Sequence, residues 1–128
     1  IHRLSKPAPA RRRAHSAVHL LAELGVAAVA RPLLVHSTLF DPSDVALAAY
    51  YDCPVAVCPT HDAHTGHAAP LRALRDAGVR VALGTSPARA TALPDPLSAA
   101  RAAAHAAALT PAEALHLATL GAARALDL

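Results

Sequence analysis

Nine of the 128 residues are histidine, the side chain best suited to exchanging protons or ligating metals near neutral pH. Position in the sequence sorts them. His36 follows the branched apolar run Leu33-Leu34-Val35 and precedes Ser37-Thr38, which places it at the end of a short buried strand. An imidazole there reaches whatever binds at the rim of a sheet, so proton transfer or metal ligation is the chemistry it serves. A rim histidine hydrogen-bonded for structure is the competing reading. His61, His64 and His67 recur every third residue, which is ligand spacing only on a helix, and Pro59, Gly66 and Pro70 argue for a loop instead. His15 and His19 lie four apart on an expected helix and could share a metal, but no third ligand is near them in sequence. Cys53 and Cys58 have four residues between them, not the two of redox and zinc motifs, and are expected as buried reduced thiols. No His-x-His pair, nucleophile turn or phosphate-binding glycine motif occurs.

The elements that must position these groups are legible from periodicity and caps. Residues 14–24 carry apolar side chains at helical spacing with Gly25 just past the end. The run 33–35 is too short and too branched for a helix and reads as a buried strand. Asp41-Pro42-Ser43-Asp44 opens a helix to about Tyr51, with Asp41 as cap, Pro42 where no amide hydrogen is needed, and Asp44 near the positive helix end. A second strand is expected over 55–58, stopped by Pro59, then a polar histidine-rich loop to Pro70. A short helix over 71–77 closes at Gly78, and a third strand spans 79–83 before Gly84. Asp95-Pro96 and Thr110-Pro111-Ala112-Glu113 open two terminal helices, the second with a capping-box pattern. Alternation of this kind predicts an α/β fold with a parallel sheet, strands buried on both faces, and functional groups in the strand-to-helix loops: His36-Ser37-Thr38, Pro59 to His67, and Gly84-Thr85-Ser86.

Composition bounds the rest. Apolar residues make up 54% of the chain, but 35 are alanine and only three are aromatic, so the core has few large anchors. The net charge of +3 is a weak basic bias. The one basic cluster, Arg11-Arg12-Arg13, has no interleaved aromatics and reads as a solvated face, so no nucleic-acid partner is expected. Neither a membrane-length apolar run nor a secretory leader occurs, which predicts no membrane partner and a cytoplasmic location. A chain that starts at Ile1 and contains no Met reads as one domain cut from something longer.

In order and spacing, several stretches together resemble the metal-dependent amidohydrolases, in the branch of the chlorohydrolases and the deaminases of cytosine, guanine and S-adenosylhomocysteine. They are Leu33-Leu34-Val35-His36, Val55-Ala56-Val57-Cys58-Pro59, the run from Ala69 to Thr85, Leu109-Thr110-Pro111-Ala112-Glu113-Ala114-Leu115, and Ala118-Thr119-Leu120-Gly121-Ala122-Ala123-Arg124-Ala125-Leu126.

The resemblance implies a partial TIM-like (β/α)8 barrel: the last three to four βα units plus C-terminal helices. It implies hydrolysis of a C–N bond in a small-molecule substrate by metal-activated water, with zinc the favoured ion. His36 would be the sixth-strand histidine that binds the metal or water or polarises the substrate. His2 would be the fifth-strand metal ligand. The departures are equally specific. Ser86 stands where the family has an aspartate after Gly-Thr, Ser5 where a proton-shuttling glutamate is expected, and His61-Asp62 where Ser-Asn follows Cys-Pro. Asp95 could substitute for the missing ligand, but more simply caps a helix. An impaired or catalytically inactive scaffold is therefore the alternative, and open strand edges predict a homo-oligomer or association with the remaining half of a barrel.

Overall fold

The computed structural model describes residues 16–86 and 95–128. His2, Ser5, Arg11 to Arg13 and His15 lie outside them. The chain opens with α1 (Ala17–Glu23), capped by Ser16, whose hydroxyl accepts from the His19 amide. Gly25, at φ +74°, ends this helix and at once begins a second, α2 (Val26–Ala30), which the sequence reading did not anticipate. β1 (Leu34–Val35), α3 (Pro42–Tyr50) and β2 (Val55–Val57) follow. Asp41 and Asp44 form the predicted start of α3 as a complete capping box.

The expected histidine-rich loop after β2 is a helix, α4 (Pro59–Thr65). Two of the expected breakers sit at its ends. Pro59 occupies the first helical turn, where its missing N–H leaves no bond unmade, and Gly66 takes the left-handed C-terminal position at φ +72°. α5 (Leu71–Asp76), β3 (Val81–Leu83), α6 (Pro96–Ala107), α7 (Pro111–Ala118) and α8 (Leu120–Ala125) complete the order. Asp95 caps α6 by accepting from the Leu97 and Ser98 amides. Thr110 and Glu113 form the predicted capping box of α7. The last helical stretch breaks at Thr119 (φ −123°, ψ −91°), a kink with no sequence signal of its own.

The three strands form a parallel sheet in the order β1-β2-β3, as the alternation of elements predicts. Leu34 lies beside Val55, and Val55 beside Val81. Helices supply the cover: Val45 and Ala48 from α3, Leu71 and Leu74 from α5, and Ala103 and Leu117 from α6 and α7 pack around the β2 and β3 valines. Cys53 and Cys58 are buried free thiols. The expected burial on both faces holds for β3, where Val81 and Ala82 are both buried; in β2 Val55 and Val57 are buried but Ala56 only partly, and in β1 Val35 is 54% exposed at the sheet's edge. No helix among the described residues is long and apolar enough to cross a membrane.

Candidate active site

Parallel strands bring their C-terminal ends to one rim, and the loops that leave that rim carry the polar groups. β1 delivers His36 and Ser37. The His36 amide still bonds to the Ala56 carbonyl at 2.9 Å, so the ladder runs up to this residue. There the backbone turns: His36 and Ser37 both take left-handed conformations, at φ +68° and +58°. Two successive non-glycine residues in that region are strained, and such strain persists only where surrounding structure imposes it.

β2 runs through Cys58 into α4, whose first turns carry His61 and Asp62. Asp62 is 3% exposed, and neither carboxylate oxygen has a hydrogen-bond partner. The nearest opposite group is His36 Nδ1, 3.5 Å from Oδ1, just beyond a full hydrogen bond. That nitrogen is itself buried and unpaired, as is the Ser37 hydroxyl. Burial pushes the Asp62 carboxyl above the ordinary carboxylate range, with the facing His36 imidazole pulling the other way.

β3 ends at Gly84, whose amide bonds to the Val57 carbonyl at 2.8 Å, and leads to the buried Ser86. The Ser86 hydroxyl and His61 Nδ1 share a hydrogen bond of 3.1 Å. The His61 ring lies 4.6 Å from that of His36, centroid to centroid and tilted by 46°. His36, His61, Asp62 and Ser86, one group from β1, two from the start of α4 and one from β3, thus form a continuous polar cluster. A cleft of about 530 Å³ runs beside it along Leu34, Val35, His36 and Phe40.

His36 stands where the sequence placed it. Ser86 is present at the rim, but its partner is His61. His64 and His67 serve locally: their Nδ1 atoms pair with the Thr60 and Thr65 carbonyls at 2.9 Å each. His19 faces the buried Asp44 at 3.1 Å, and Ser16 bonds the same carboxylate, pinning α1 to α3. Sequence reasoning missed the contributions of Asp62 and His61. The signal was their place directly after Cys58-Pro59-Thr60, but the expected loop gave Asp62 no fixed direction. Among the described residues no group of three or more His, Cys, Asp or Glu can hold a metal ion. The described part of the rim by itself therefore does not make a complete zinc site.

Residues 5–128 match the model of the Amidohydrolase family. The chain belongs to that family. Within it, the chain is 45% identical over 69 residues to the aminodeoxyfutalosine deaminase of Deinococcus radiodurans, a match over 53% of this chain and 16% of that protein. Its fold matches an adenosine deaminase structure from Xanthomonas campestris with bound zinc, at a TM-score of 0.69 and 33% identity, over 74% of this chain and 24% of that one. The chain spans less than a quarter of either relative. The parallel sheet and its rim are thus a segment of an amidohydrolase fold, as the resemblance implied.

Proposed function

We propose that the protein is a hydrolytic deaminase that releases ammonia from a small amine-bearing substrate, with His36 as the reacting group on this part of the rim. The observation that carries the reading is the pairing of His36 with Asp62: a strained, half-exposed imidazole at a strand's C-terminal end, backed by a buried carboxylate that the Ala69 amide and the His61 ring also face. An imidazole so placed can pass a proton to or from a bound substrate or water. The family and both deaminase relatives support the reaction class.

Zinc, as in the Xanthomonas structure, is the proposed cofactor and would supply an activated water. His36 and His2 are its proposed ligands on this chain, and the remaining donors must come from outside the described residues. A cytoplasmic setting belongs to the same reading and is supported by the two buried free thiols. Ammonia release from adenosine, by the protein supplied with zinc, is the first test. Turnover above the zinc-only blank supports the reading. No release from adenosine or from a panel of other amino-substituted bases and nucleosides contradicts it.

One observation favours a second reading, an inactive member that completes a barrel with another polypeptide. At Ser86, where the resemblance places an aspartate, a neutral hydroxyl is already engaged by His61. Val35 of β1 and Leu39 just after it stand exposed, and an open apolar edge of this kind favours association. Light scattering separates the outcomes: a self-associated or partner-bound species without turnover supports it, and a monodisperse monomer contradicts it.

A further inference from the structure

We infer that Asp62 is a positioning residue: it takes the Nδ1–H of His36 and so turns the Nε2 lone pair outward to the rim. The inference rests on the reading of His36 as the reacting group and adds the device that prepares it.

Two other acids in helix first turns show what Asp62 does not do. Asp44 and Glu113 each reach back to the amide of the residue capping their helix, at 3.0 and 2.8 Å. Both sit three residues past that cap. Asp62 sits four past Cys58, and no side chain caps α4. The extra residue rotates Asp62 by about 100° around the helix, off the amide end and into the rim. It is nonetheless buried, and a buried carboxylate without a hydrogen bond is costly unless a charge or donor faces it.

The group that faces it is His36 Nδ1, 3.5 Å away and equally unpaired. Two lone pairs directed at each other repel, so a carboxylate there selects the tautomer with hydrogen on Nδ1. The Ala69 amide also faces this carboxylate, but His36 Nδ1 has no other partner within hydrogen-bond distance, and a short closing movement brings the two into a hydrogen bond of the carboxylate–imidazole kind that orients basic and metal-ligating histidines. The His36 side chain is 37% exposed while its Nδ1 is buried, so the exposed part of the ring is the opposite edge, which carries Nε2. With hydrogen fixed on Nδ1, that edge presents an acceptor, able to take a proton or ligate.

The test is the tautomeric state of His36, read from its ring ¹⁵N shifts in the metal-free protein at about pH 8, where an ordinary imidazole is neutral. The wild type is expected to show Nδ1 protonated and Nε2 bare. Asp62→Ala is expected to lose this signature and revert to the Nε2–H form that free imidazoles prefer. An Nε2–H tautomer in the wild type, or a folded Asp62→Ala protein that keeps Nδ1–H, overturns the inference. If Asp62→Ala does not fold, the wild-type spectrum decides alone. No substrate enters the measurement, so failure here is distinct from failure of the deaminase reading.

Discussion

Ser86 and His61 join the end of β3 to the first turn of α4 through one hydrogen bond of 3.1 Å between the serine hydroxyl and Nδ1. The bond is made by a buried side chain, so it holds two of the rim's loops in register. It also fixes which way the His61 ring lies beside His36.

Replacing that hydroxyl tests both its structural and its chemical meaning. Ser86→Ala removes the bond and is expected to lower unfolding free energy by about 1 kcal/mol, read from urea denaturation. Ser86→Asp puts a carboxylate at the same position, adding an anionic oxygen donor beside His61 and His36. Elemental mass spectrometry after zinc loading is expected to find more zinc per chain in Ser86→Asp than in its parent, and equal content would show that the end of β3 is not part of a metal site.

Glu113 gives a pH dependence with a definite sign. The Arg75 guanidinium at 2.7 Å and the Thr110 amide and hydroxyl hold its carboxyl down to about 2, from an ordinary 4.5. A carboxyl with a lowered folded-state value stabilises the fold above its unfolded value and loses that contribution as pH falls through the folded one. Stability is therefore expected to fall between pH 4.5 and about 2, and Glu113→Gln to flatten that part of the curve. Urea midpoints measured across this range check it, and an unchanged slope in the variant would contradict the assignment.

Gly121 marks the closest approach of α8 to the sheet. A Cβ added there would lie 2.9 Å from the Val81 carbonyl oxygen and 3.2 Å from that of His116. Both are backbone atoms that cannot swing aside, so Gly121→Ala is expected to destabilise by about 1–3 kcal/mol through overpacking. Thermal unfolding of the variant reads this directly.

Much of this architecture was legible because the sequence marks it twice, by periodicity and by punctuation. Asp41-Pro42, Asp95-Pro96 and Thr110-Pro111 each cap a helix as read, and the apolar runs around Leu34, Val55 and Val81 are strands. α4 was missed because Pro59 and Gly66 signal a break without saying which side of it is helical. The exposure of Val35 was missed because composition cannot distinguish an edge strand from a central one. His36 was legible as the first polar residue after an apolar run. Asp62 was not, because its significance lies in a burial and a 3.5 Å approach between groups 26 residues apart.

The most direct test of the central claim compares the wild type with His36→Ala for ammonia release from the best substrate found. Circular dichroism on both proteins confirms that the partly exposed residue was removed without loss of fold. If His36 is the reacting group on this rim, the wild type turns over and kcat/KM in the variant falls by about 10²–10⁴-fold. A folded His36→Ala protein with undiminished kcat/KM would contradict the account.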